Sequence, residues 1–226
     1  MIRRIINWVR DFCFPPRCPF CGALTGQEGK YCAECEQSLP HCHSYTLTPN
    51  TKRPDLYCLR APYYYAGAAR RAAMALKFHN HRSAAVHFAQ ALSDMPQVSG
   101  LSQADFVTAV PLSRKRLRQR GFNQSELIAR QYAMLRGLVY WETLDKHKDV
   151  PKQSLLTGAK ARAANVKGCY RVLVPEAVKN KTIVLIDDVY TTGATMRECA
   201  KTLRQAGARS VIGLAGCTRG KNKKHT

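Results

Sequence analysis

The residues best suited to chemistry lie in one short run, Asp187-Asp188-Val189-Tyr190-Thr191-Thr192-Gly193-Ala194-Thr195. It follows Ile183-Val184-Leu185-Ile186, which is apolar on both faces as a central parallel strand is, and it leads into a helical pattern. Ligands of open α/β sheets bind at the carboxyl ends of such strands. Thr191, Thr192, Gly193, Ala194 and Thr195 offer small side chains, hydroxyl donors and a glycine that lets backbone close around an anion. The next helix would point its N-terminus at the same anion. Asp187 and Asp188 cannot cradle phosphate, but they can accept hydrogen bonds from two sugar hydroxyls or hold a divalent cation through water. A loop that addresses a phosphate and a diol together suits a ribose 5-phosphate. Two plainer readings are that the acids merely cap a Thr-rich strand end, or that one of them receives a phosphoryl group. Neither accounts for the Thr-Thr-Gly-Ala-Thr run.

A second constellation lies near the start of the chain. Cys18-Pro19-Phe20-Cys21 and Cys32-Ala33-Glu34-Cys35 are two Cys-x2-Cys knuckles with ten residues between them. Four thiolates can close tetrahedrally on one zinc, leaving no open position for a reacting water, so the site is expected to be structural. Gly22 allows the tight turn behind the first knuckle. Seven of the ten cysteines fall between Cys13 and Cys58, and in a reducing cytoplasm close pairs read as metal ligands rather than disulfides. Cys42 and Cys58, with one or both of His41 and His43, offer a mixed second site, against the plainer account of exposed histidines. Cys13, Cys169, Cys199 and Cys217 read as buried thiols.

Positioning these groups requires a core, and 226 residues at 45% hydrophobic content can build one. The composition changes near residue 60. This divides the chain into a cysteine-rich zinc-binding arm (1–60), an α/β body (61–220) and a basic tail (221–226). In the body, strands are expected over Tyr63–Ala66, Asp105–Val110, Lys181–Asp187 and Ser210–Ala215. Helices are expected over Ala68–Phe78, Ser83–Leu92, Asn123–Leu135 and Ala194–Ala206. Their alternation argues for a parallel sheet covered by helices on both faces. Residues 145–168 are polar and aperiodic, and read as a mobile excursion. The apolar stretch Ile5–Val9, interrupted by Asn7 and ended by Arg10, is too short to span a bilayer. It reads as an amphipathic helix bearing Ile2, Ile5, Ile6 and Val9, packed on its own protein in preference to a membrane surface, so the chain is expected to be soluble and cytoplasmic. Lys and Arg number 36 against 15 Asp and Glu, a net charge of +21 that should attract polyanions without reading sequence.

The thirteen positions from Ile183 to Thr195 resemble the phosphoribosyl-pyrophosphate (PRPP) signature of the type I phosphoribosyltransferases, with Tyr190 the one loose point. Val110-Pro111-Leu112-Ser113, a run of cations and Arg120-Gly121-Phe122-Asn123-Gln124-Ser125 then resemble the ComF family of competence proteins. So do Lys77-Phe78, Gln153 with Leu155-Leu156, and Arg162 to Asn165 with Tyr170 downstream. Tyr190 is ordinary in that company. The resemblance implies a type I phosphoribosyltransferase-like body and a role in DNA uptake during transformation or in the use of imported carbon sources. It implies that Asp187 and Asp188 are catalytic, that Thr191 to Thr195 bind PRPP, and that magnesium accompanies it. A basic loop carrying Arg114, Lys115, Arg118 and Arg120 would hold pyrophosphate, although a charge run is also an ordinary solvated face or helix start. Residues 145–168 become a hood over the substrate. The ComF pattern often has a second pair of knuckles, which this chain lacks. Two functions follow. One is an enzyme that transfers ribose 5-phosphate from PRPP to an acceptor the sequence does not name. The other is a non-catalytic single-stranded DNA-binding or adaptor protein of the uptake machinery, with Tyr63-Tyr64-Tyr65, Phe78 and Phe122 as stacking candidates.

Overall fold

The computed structural model describes residues 15–25, 31–42, 56–78, 82–96, 101–148 and 164–219. Its centre is a parallel sheet in the order β1 (Cys58–Arg60), β8 (Ser210–Thr218), β7 (Thr182–Tyr190), β3 (Phe106–Ala109) and β4 (Val139–Tyr140). The short β2 (Tyr63–Tyr64) joins β8 beyond β1, pairing Tyr63 with Cys217. Residues in β7 are buried from Thr182 to Ile186, as a strand covered on both faces requires.

Two apolar layers cover this sheet. On one face Val184, Ile186, Ile212 and Leu214 meet α2 (Gly67–Phe78), α3 (Ser83–Asp94) and α5 (Gln124–Arg136) through Leu76, Phe88 and Ile128. On the other, Ile183, Leu185 and Val211 meet α7 (Ala194–Gln205) through Met196, Cys199 and Leu203. The expected parallel α/β body is therefore the observed one. Asp105 locks the amino ends of the strands, accepting from the Thr182 amide at 2.7 Å and from Lys181 Nζ at 3.0 Å.

Several elements differ from the sequence expectation. β7 runs three residues past Asp187, so both acids lie inside a strand that continues to pair with β8 as far as Tyr190 and Thr218. The Arg114–Arg120 stretch, read as a loop, is a helix (α4). It carries its cations to solvent and to a cleft instead of an apolar stripe to the core, so hydrophobic periodicity gave no sign of it. β1 lies on the arm side of residue 60 yet inside the sheet, with Cys58 opposite Ile212. The polar excursion is pinned at its base: β5 (Leu144–Lys146) and β6 (Tyr170–Val172) pair antiparallel, with Lys146 opposite Tyr170. The rest of that excursion (149–163), the amphipathic segment with Cys13, His43 and the basic tail lie outside the described residues. Among the described residues no helix is long and apolar enough to cross a membrane.

The arm shares the body's core. Phe20 is 5.0 Å from the Tyr31 ring and 6.0 Å from both Tyr63 and Phe88, and these join the arm to α3. Tyr63 is thus a buried packing residue and not a stacking platform for a nucleic acid.

Candidate functional site

The carboxyl ends of β3 and β7 open into a cleft of about 1090 Å³. Its floor holds the two acids. Asp187 Oδ1 accepts from Ser125 Oγ at 2.9 Å and from the Asp188 amide at 2.9 Å. Asp188 is 4% exposed, and its Oδ2 lies 2.5 Å from Lys77 Nζ at the end of α2. Side-chain alternation explains how neighbours reach different partners. Asp187 shares the parity of Ile183 and Leu185, and Asp188 that of Val184 and Ile186. Beyond Asp188 the alternation slips by one, so that Val189 packs with the α2–α3 layer and Tyr190 with the α7 layer. Gly216 in β8 makes room for the slip, since a Cβ there would meet the Asp188 carbonyl at 3.0 Å and Phe88 at 3.1 Å.

Burial dominates the electrostatics of this floor. Asp187 keeps part of its surface open to the cleft, yet its carboxylate is set deep in protein. Desolvation, and then the charge of Asp188, push its pKa up to about 7, against the pull of Lys77 and Ser125. Lys77 suffers the opposite desolvation penalty, but the Asp188 and Asp187 charges outweigh it and raise its pKa.

The segment Arg120 to Ser125 is built to serve this floor. Gly121 ends α4 in the left-handed region (φ 78°), where its amide bonds to the Leu117 carbonyl. Asn123 caps α5 by accepting from the Ser125 amide, and its Nδ2 donates to the Val110 carbonyl at the end of β3. Ser125 is thereby held over Asp187 and Asp188. Arg120 donates to Gln124 at 2.6 Å and lies 5.5 Å from the centre of the Phe78 ring, while Arg82 lies 5.4 Å from that of Phe122. Burial lowers the Arg120 pKa.

Of the residues expected to take a phosphate, Thr191, Gly193, Ala194 and Thr195 line the cleft and Thr192 does not. The Thr192 carbonyl accepts from Arg197 at 2.6 Å, and its buried hydroxyl makes no hydrogen bond. Of the expected pyrophosphate cations only Arg120 lines the cleft. Arg114, Lys115 and Arg118 point to solvent from α4, whereas Arg116, four residues before Arg120, faces in. Lys77, Arg70, Arg82, Lys146 and Arg219 also line it, giving seven cations against two carboxylates. Tyr170 enters from β6, and Ser113 presents a buried hydroxyl without a partner. Reading residues 114–120 as a helix would have separated Arg116 and Arg120 from the other three by their spacing. No local signal marked Arg70 or Arg219, which come from distant elements.

The four knuckle cysteines gather as their spacing suggests. The Sγ atoms of Cys18, Cys21, Cys32 and Cys35 lie within 4.8 Å of one another, with Cys21 and Cys32 at 3.5 Å. A zinc–sulfur bond of about 2.3 Å gives a tetrahedron with edges of about 3.8 Å, so the donor set fits a zinc ion. Burial works against ionisation of Cys18, but the amides of Cys32, Phe20 and Cys21 overcome it and lower its pKa to about 7. Arg71 of α2 donates to Cys35 Sγ at 3.5 Å, a tie from body to arm. Among the described residues only these four form a metal-competent group. Cys42 and Cys58 are buried outside that group, and His43, an expected partner of theirs, lies beyond the described residues.

The family model for the phosphoribosyl transferase domain matches residues 141–226. The DNA utilization protein YhgH of Escherichia coli (strain K12) is 30% identical over 205 residues, 86% of this chain and 86% of that one. The competence protein ComFC of Streptococcus pneumoniae is 28% identical over 204 residues, 83% and 87% of the two chains. Among solved structures, the glutamine PRPP amidotransferase of B. subtilis complexed with ADP and GMP overlays 60% of this chain and 26% of its own, at 26% identity and a TM-score of 0.43. With that extent of shared sequence, the chain belongs to the ComF/YhgH family and carries a phosphoribosyltransferase domain.

Proposed function

We propose that the cleft binds PRPP with magnesium, and that the protein serves DNA utilization by transferring or sensing ribose 5-phosphate. The observation that carries this reading is the pairing of Asp187 and Asp188 on the cleft floor with the Thr191–Thr195 turn at the N-terminus of α7. The acids accept the two ribose hydroxyls, and the turn, with the α7 amides behind it, takes the 5-phosphate. Arg116 and Arg120 line the same cleft, and their charge would favour a departing pyrophosphate. Magnesium, when bound with PRPP, neutralises part of the pyrophosphate charge. In a transfer, the bond from C1′ to the pyrophosphate oxygen breaks with its electron pair leaving on oxygen, and a nucleophile of the acceptor bonds to C1′. Calorimetric titration with PRPP and magnesium tests the reading, run beside an Asp187→Asn, Asp188→Asn double variant whose folding is checked by thermal melting. Binding that the double variant loses supports it. A folded, zinc-loaded wild type that binds no PRPP sinks it.

A second reading is favoured by one further observation. Phe78, Phe122 and Tyr65 line the cleft, each with an arginine beside its ring: Arg120, Arg82 and Arg219 respectively. Phe78 is 61% exposed. Aromatic faces interleaved with cations are what a single strand of DNA stacks on, and the cleft's surplus of five positive charges suits its backbone. In this reading the protein is a non-catalytic single-strand binder or adaptor. Affinity for a labelled oligonucleotide that falls steeply with salt, and falls again in Phe78→Ala, supports it. PRPP turnover without any oligonucleotide affinity excludes it.

A further inference from the structure

The ion pair between Lys77 and Asp188 has a consequence for how the acid pair is used. Two adjacent carboxylates set deep in protein cannot both ionise without a counter-charge, because each is desolvated and each repels the other. Lys77 Nζ, 2.5 Å from Asp188 Oδ2, supplies that charge from α2, and Asp188 Oδ2 makes no conventional hydrogen bond besides. The other groups facing the floor do not supply it. Ser125 from α5 is neutral and already donates to Asp187. Arg120 from α4 feels the Asp188 charge from beyond ion-pair reach, donating to Gln124 beside the Phe78 ring, and Lys146 of β5 lies over the Tyr170 ring. Tyr170 from β6 and Cys199 from α7 are held neutral by burial, as is Cys217 from β8. Among the described residues, Lys77 is the cation within ion-pair reach of either acid.

We infer that Lys77 is a positioning residue, a resident counter-cation that lets Asp187 and Asp188 take the ribose hydroxyls without a divalent ion at the acids. Any need for magnesium then belongs to the pyrophosphate end of the ligand. One oxygen of each acid is committed, Asp187 Oδ1 to Ser125 and Asp188 Oδ2 to Lys77, and the other two are the acceptors a diol would use. The inference rests on the PRPP reading, from which it can be separated by experiment.

The probe is ribose 5-phosphate, which carries the phosphate and the diol but no pyrophosphate, titrated into the full zinc-loaded chain with magnesium and with a chelator too weak to strip the knuckle zinc. Wild type should bind it with affinities within about twofold in the two conditions, because no divalent ion is needed where Lys77 sits. Lys77→Met should lose about tenfold or more without magnesium and recover most of it with magnesium. Lys77→Arg, which restores the charge, should stay close to wild type. A merely structural lysine would weaken binding equally in both conditions. Equal losses in Lys77→Met therefore overturn the inference. So does a wild type that binds ribose 5-phosphate only with magnesium, or not at all, while binding PRPP. That wild-type comparison decides the matter even where Lys77→Met fails to fold. Failure to bind PRPP with magnesium would instead remove the reading beneath it.

Discussion

The ring of Tyr190 lies directly against the Cα of Gly193, closing the turn between β7 and α7 from within. A methyl group built on Gly193 would overlap the tyrosine hydroxyl, and the glycine sits at φ 73°. Arg197 fastens the arrangement by donating to the Tyr190 hydroxyl at 3.1 Å and to the Thr192 carbonyl at 2.6 Å. Gly193→Ala is therefore expected to distort the turn and reduce PRPP affinity by at least tenfold, since a left-handed alanine alone costs about 1–2 kcal/mol before any overlap. A Tyr190→Ala, Gly193→Ala double variant should recover part of the loss, because removing the ring leaves only the backbone cost. Equal deficits in the single and double variants, read by titration and thermal melting, would show that the ring is not what confines Gly193.

The helical turn of α4 divides its cations into two sets, with Arg116 and Arg120 in the cleft and Arg114, Lys115 and Arg118 outside it. Arg116→Ala and Arg120→Ala should each weaken PRPP binding by about tenfold, the scale of one charge-assisted contact to a phosphate. The triple change of Arg114, Lys115 and Arg118 to alanine should cost about twofold at physiological salt, because exposed charges at that distance are screened. The comparison is a single series of titrations. A triple variant as impaired as either single one would restore the outer cations to the site.

These cases also mark what was legible in the sequence. The β7 strand and the α7 helix could be read from an apolar run and a helical pattern, and the turn between them from Thr191 to Thr195, because each is a local signal. Strand ends could not, since Val189 and Tyr190 continue the ladder only because Cys217 and Thr218 lie beside them. The α4 helix was hidden because its sides are distinguished by cleft and solvent, both polar. Lys77 was visible as a family feature, but its ion pair with Asp188 spans more than a hundred positions and exists only in the folded sheet. Ser125 is of the same kind, a small polar residue in a recognised segment whose task appears only when α5 lies over β7.

Zinc should be present at one ion per chain, read by native mass spectrometry. Serine at any one of Cys18, Cys21, Cys32 or Cys35 should abolish it, while Cys42→Ser and Cys58→Ser leave it bound. Because Phe20 of the first knuckle packs on Tyr63 and Phe88, zinc loss should also lower the melting temperature of the body rather than free the arm alone. A Cys35→Ser protein with an unchanged melting temperature would count against that shared core. So would zinc retained after the substitution count against the four-cysteine site.

Asp187 gives stability and ligand binding opposite responses to pH. Its ordinary pKa of 3.8 is raised to about 7 in the folded chain by burial and by Asp188. The native state therefore binds more proton than the unfolded chain between those values, and stability falls as pH rises through that window. The contribution is fully present below about pH 4 and gone above about pH 7, with a ceiling of about 4 kcal/mol from the size of the shift. Lys77, Tyr170, Cys199 and Cys217 are all raised and so stay out of this window, which leaves Asp188 as the neighbour coupled to it. Subtracting the melting curve of Asp187→Asn cancels distant groups such as His87, and the remaining difference belongs to the Asp187–Asp188 pair. The variant should gain on wild type from about pH 4 to pH 7 and level off above that. Over the same range, wild-type affinity for ribose 5-phosphate should rise, because the ionised carboxylate is the better acceptor for the diol. A difference in melting temperature that stays flat across the window would mean that Asp187 is ionised throughout, with Lys77 sufficient to hold both charges.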